Sequence, residues 1–94
     1  MINQDEIIGT WKVIVDPLNP EEETFYAFNT EGELTMTFRT KTGTQYILLT
    51  YKLEGNTLVT DQPSHPKIEC ARISIENNIM TVDYDGIITK LEKW

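Results

Sequence analysis

The stretch Glu33-Leu34-Thr35-Met36-Thr37-Phe38-Arg39 alternates polar and apolar side chains without a break. Neighbouring residues of a strand point to opposite faces, whereas a helix would bring its apolar positions back every three or four residues. The stretch therefore reads as a half-buried strand with Leu34, Met36 and Phe38 on its inner face. On its N-terminal side, Asn29-Thr30-Glu31-Gly32 places Asn first and Gly last in a four-residue turn, a type I signature with glycine in the left-handed position. Thr24 to Asn29 then forms its hairpin partner. On its C-terminal side, Lys41-Thr42-Gly43 turns the chain into a strand from Thr44 to Leu53, and Gly55-Asn56 turns it again into a short strand from Thr57 to Thr60.

The same punctuation reaches both ends of the chain. Asp16-Pro17-Leu18-Asn19-Pro20 stops a first strand that runs from Gly9 to Val15, because proline has no N–H for a sheet ladder. Pro63-Ser64-His65-Pro66 breaks the pattern again before Lys67 to Glu76, Asn77-Asn78 turns that strand into Ile79 to Tyr84, and Asp85-Gly86 turns it into Ile87 to Lys93. Turn signals at intervals of about 8 to 12 residues mark an all-β sandwich or barrel. The sum is eight strands, each antiparallel to its neighbour in sequence. Only the start differs: Asn3 suits the N-cap of a single helical turn ending at Ile7, too short to persist without packing onto the sheet.

Tyr51, Leu53, Glu54, Asn56 and Leu58 recur 22 residues later as Ile73, Ile75, Glu76, Asn78 and Met80. The repeat places Tyr51, Leu53, Leu58, Ile73, Ile75 and Met80 on one buried surface, which Trp11, Val13, Phe28, Leu34, Met36, Phe38, Val82 and Leu91 extend by parity. An open meander would leave two unpaired edges, so the reading favours a closed up-and-down barrel. Eight strands enclose a space that side chains just fill or that holds one small ligand. The many large inward side chains favour filling, with Ala27, Ala71 and Thr89 as thin spots. Ile14, Phe25, Tyr46 and Leu48 fall on the outer face, where the helical turn, a loop or a second copy of the chain would cover them.

Composition narrows the function. Eight Lys and Arg stand against fifteen Asp and Glu, a net charge of −7 over 94 residues, which fits one domain spanning 1–94 and opposes nucleic-acid binding, where basic residues supply most of the affinity. The apolar runs are far shorter than the roughly 20 residues a spanning helix needs. The acidic start is unlike a secretory leader, so the chain reads as cytosolic as written, or secreted should a leader have been removed. The single cysteine, Cys70, rules out an internal disulfide.

At Gly9-Thr10-Trp11-Lys12, a short helical turn leading into Gly-x-Trp on the first strand resembles the opening of lipocalins and fatty-acid-binding proteins. Phe28 to Leu34, Tyr51 to Leu58 and Ile73 to Val82 resemble the compact bacterial lipocalin-like (calycin-type) domains, so that the likeness extends from Ile7 to Leu91. It implies a lipocalin-like barrel with a basic residue packed across the tryptophan, a role open here to Lys90 or Lys93.

Candidate chemistry is sparse. His65 with Asp61, Glu69 and Cys70 falls short of a structural zinc set, which takes four Cys or His ligands, and His65 reads as a loop residue. Cys70 and His65 have no orienting partner for nucleophilic work, Asp83 lies on the outward parity, and Asp85 belongs to a turn. No phosphate-binding glycine spacing occurs. Arg39 and Arg72 read as surface residues paired with glutamates, and Glu21-Glu22-Glu23 as a solvated loop. No catalytic residue, metal or cofactor is expected. What remains is a binding module whose interior takes a small apolar or amphipathic ligand against Tyr26, Phe28, Met36, Phe38, Tyr51 and Met80. The alternative is a filled barrel, monomeric or homodimeric, acting as a structural or protein-interaction domain without a small-molecule ligand.

Overall fold

Each strand pairs with its neighbour in sequence, and the last returns to the first. The structure, a computed structural model, describes residues 2–14, 23–63 and 67–94. The strands β1 (Gly9–Val13), β2 (Glu23–Phe28), β3 (Glu33–Thr40), β4 (Gly43–Glu54), β5 (Thr57–Asp61), β6 (Glu69–Glu76), β7 (Ile79–Tyr84) and β8 (Ile87–Lys93) form a closed antiparallel barrel in that order. The seam pairs Trp11 with Lys93, Lys12 with Glu92 and Val13 with Leu91. Closure leaves no sheet edge free to recruit another chain, the fate an alternating sequence of this kind must avoid. The expected helical turn is α1 (Gln4–Ile7), entered through an extended Asn3 whose side chain makes no capping hydrogen bond.

Two strand ends fall two residues short of the expectation, and several others shift by one. β1 stops at Val13, and Val15 lies outside the described residues, as do Asp16 to Glu22 and Ser64 to Pro66 with His65. β6 begins at Glu69 and not at Lys67, because the Lys67 N–H turns away to donate to the Asp61 carboxylate at 3.0 Å. The tight turns follow their chemistry: Asn77, Asn78 and Asp85 take positive φ angles of 52°, 64° and 51°. Asn and Asp tolerate this left-handed region better than other side chains bearing a Cβ.

Parity places the core. Trp11, Phe28, Leu34, Tyr51, Leu58, Ile73, Met80, Val82 and Leu91 are buried, with Val13, Met36, Leu53 and Ile75 packed against them. Phe38 departs from expectation: it faces inward but is only half-buried and stands apart from the core cluster. Its cross-strand partners are the polar Thr24 and Gln45, so the apolar core is not continued through them. Ala27 also departs, since it sits between Thr10 and Thr35 on the outer face and thins nothing inside. Ile7 of α1 is fully buried. The turn is thus the lid that closes one end of the barrel.

Tyr51 fastens that lid. Its hydroxyl donates to the Asn29 carbonyl at 2.6 Å and accepts from the Gln4 side-chain amide at 3.2 Å, while its ring meets Phe28 edge to face at 5.1 Å. Tyr51→Phe keeps the ring and strips the hydroxyl from both partners. An expected loss of about 1 kcal/mol follows from one net hydrogen bond, measurable as a lower urea midpoint at unchanged slope.

Phe25, Tyr46, Leu48 and Ile14 lie outside, as parity demands. Phe25 is covered by Trp94, edge to face at 5.3 Å, and by the Arg39 guanidinium at 5.8 Å, and the Lys12 ammonium lies 5.1 Å from the Trp94 ring centre. Glu23 is the first residue of β2 and pairs with Lys12 at 3.4 Å, so it belongs to the sheet and not to a loop.

Candidate functional site

The closed end is built by three residues acting together. Trp11 donates its indole N–H to the Ile7 carbonyl at 2.9 Å, which ties β1 to α1. Lys93 lies opposite Trp11 across the seam, sets its ammonium 4.8 Å from the indole centre and donates to the Ile8 carbonyl. Gly9 makes the space: a Cβ there would lie 2.5 Å from the Lys93 nitrogen, and its φ of +120° is one that L side chains rarely adopt. Lys93 therefore fills the role across the tryptophan. Lys90 pairs with Thr81 on the outer face.

Toward the other end the interior is not filled. A cavity of about 270 Å³, partly open to solvent, lies between two walls. On one side stand Tyr26, Leu34, Met36 and Leu49 from β2, β3 and β4. Facing them are Leu58 and Thr60 of β5, Glu69 and Ala71 of β6, and Val82, Tyr84, Ile87 and Thr89 of the β7–β8 hairpin. The hollow exists because Ala71 and Thr89 present short side chains where the same parity elsewhere presents Ile73 and Leu91. Both were legible as thin spots.

Of the six residues expected to line a ligand space, Tyr26 and Met36 border this cavity. Phe28, Tyr51 and Met80 lie deeper, in the packed core beneath it, and Phe38 lies outside the cavity wall. Leu49, Thr60, Glu69, Tyr84 and Ile87 were not foreseen in the wall. Glu69 and Thr60 carried a signal, since strict alternation from Ala71 and Leu58 puts both on the inner parity. Leu49 follows likewise from Tyr51.

The polar part of the wall has a definite character. Burial pushes the Tyr26 hydroxyl above its ordinary value. Glu69 faces the cavity and holds the Lys67 ammonium at 3.2 Å from outside. The hydrogen bond to Glu69, its charge and the nearby Tyr84 hydroxyl raise the Lys67 ammonium above the usual lysine range. No lysine or arginine borders the hollow.

Other surfaces offer less. A groove of about 440 Å³ along Cys70, Arg72 and Asp83 is larger but open, on the outer face, where Arg72 and Asp83 are cross-strand partners. Asp83 is occupied in accepting the Gly86 N–H at 3.0 Å across the hairpin turn. Cys70 is exposed and free. Among the described residues, no three His, Cys, Asp or Glu side chains gather to hold a metal ion, and no helix is long and apolar enough to cross a membrane.

The chain matches no family model, no curated protein and no solved structure. The cavity and its chemistry carry the functional conclusion.

Proposed function

We propose that this lipocalin-like barrel binds one small, mostly apolar molecule in the hollow above Leu34 and Leu58. The observation that supports it is an internal space of about 270 Å³, walled mainly by aliphatic and aromatic side chains with a few convergent polar groups, the usual composition of a ligand site. The volume lies just below the common lower bound of about 300 Å³, which makes the ligand small. A dry cavity of about 150 Å³ accepts benzene, so by proportion this one takes about ten heavy atoms. Full-length fatty acids, retinoids and haem exceed it.

Thermal denaturation against a panel graded by size tests the reading. A fitting compound at 100 times its dissociation constant adds about 2.7 kcal/mol, or roughly 10–20 °C for a domain of this size. Ala71→Phe, which fills the hollow, is expected to abolish that shift while leaving intrinsic stability unchanged or higher. In a core already filled, the same enlargement would cost about 1–3 kcal/mol. A flat panel together with such a loss transfers the argument to the alternative, a barrel acting through its outside, where Tyr46 and Leu48 remain 68% and 65% exposed on β4.

A further inference from the structure

Resting on that cavity reading, we infer that the site selects small ligands carrying a primary ammonium group over carboxylates, with Glu69 as the residue that receives the charge. Among the described residues, Glu69 is the one charged side chain in the wall. The remaining polar groups are hydroxyls, on Tyr26, Thr60, Tyr84 and Thr89. An alkyl carboxylate entering head first finds no cation in the lining and meets the Glu69 charge, inside a chain whose net charge is −7. An ammonium group finds the reverse: a carboxylate acceptor, hydroxyl oxygens able to take its other N–H bonds, and the rings of Tyr26 and Tyr84, whose faces attract cations.

The structure contains a precedent for the contact. Glu69 already binds an ammonium, that of Lys67, at 3.2 Å. Lys67 approaches from solvent, its side chain 72% exposed, and such exposed pairs contribute little because water competes and side-chain freedom is lost. A ligand ammonium arriving from within can therefore share or take over the carboxylate at small cost. The apolar wall of Leu34, Met36 and Leu49 opposite receives the hydrocarbon end. Site and charge together describe a short aryl- or alkylamine.

Three probes of nearly equal shape, about eleven or twelve heavy atoms each, separate this inference from the reading beneath it: 4-phenylbutylamine, 4-phenylbutanol and 4-phenylbutyrate. Titration calorimetry of the intact chain at pH 7 and low salt is expected to show the amine binding at least tenfold more tightly than the carboxylate, with the alcohol between them. Glu69→Gln should weaken the amine about tenfold and leave the alcohol within twofold, which also reports that the variant is folded. Lys67→Ala should strengthen the amine. If the carboxylate equals the amine, or Glu69→Gln leaves the amine's affinity intact while the alcohol still binds, the charge preference is overturned and the cavity stands. If none of the three binds, both fall.

Discussion

Trp11→Ala is expected to lose about 3–5 kcal/mol, the range for truncating a large aromatic in a packed core. The domain as a whole has roughly 5–14 kcal/mol at its disposal by the usual per-residue stability. The substitution thus removes about a fifth of it or more and lowers the melting temperature by roughly 12–40 °C. Three observations set the size: the indole is 1% exposed, its N–H satisfies the Ile7 carbonyl, and its face carries Lys93. Removing the ring opens a void at the closed end and leaves Ile7, itself fully buried, without its neighbour. Trp11→Phe separates packing from the hydrogen bond and should fall between. Lys93→Ala should cost about 0.5–1 kcal/mol through the cation–ring contact, and less once Trp11 is gone, because the lysine then keeps only its bond to the Ile8 carbonyl. The sequence has two tryptophans, so in Trp11→Ala the fluorescence of Trp94 alone follows unfolding. A loss under about 1 kcal/mol would mean that the indole merely occupies the end of the barrel and does not organise it.

How far the fold could be read from residues alone follows from what each signal depends on. The alternation in Glu33 to Arg39 reports directly on the two environments of a half-buried strand, and the turn residues Asn77, Asn78 and Asp85 report on the backbone angles they take, so strands and hairpins emerged together. Closure was inferred from the cost of free edges and appears as the β1–β8 seam. Other features depend on register, which a single residue of slip would invert. The contact of Lys93 with the indole is partly such a case: parity from Leu91 turns Lys93 inward and Lys90 outward, but only the Trp11–Lys93 pairing sets that ammonium beside the ring. Ile7 escaped because a helical turn of four residues contains no periodicity to reveal a buried side. The cavity escaped in part for a different reason. Ala71 and Thr89 are visibly short, but whether a short side chain leaves a hole depends on what stands across the barrel, and Tyr26, Met36 and Leu49 come from strands far away in sequence. Phe38 misled because parity gives direction and not depth.

The seam itself yields the second large expected effect. Trp94 donates its N–H to the Thr10 carbonyl at 3.0 Å and Ile14 donates to the Lys90 carbonyl at 2.8 Å. Antiparallel ladders alternate bonded and non-bonded pairs, so Lys12 and Glu92, midway between those contacts, form a bonded pair. The Lys93 N–H points the other way, to Asn78, in keeping with that alternation. Glu92→Pro removes the N–H that Glu92 directs at β1 and sets a ring where the β1 backbone lies. Its expected cost is about 3 kcal/mol or more, as for other interior prolines that both delete a bond and clash. Stability is not the only readout, because an opened seam exposes β1 and β8 as edges, and edges recruit other chains. Glu92→Pro is therefore expected to lower the urea midpoint and to produce dimers or larger species on size-exclusion chromatography in proportion to concentration. Glu92→Ala, which keeps the N–H and loses only an exposed carboxylate, should match the parent in both. Equal stability and equal elution of the two variants would show that β1 and β8 need no hydrogen bond at this point, and the barrel would then owe its closure to Trp11, Val13 and Leu91 packing inside it.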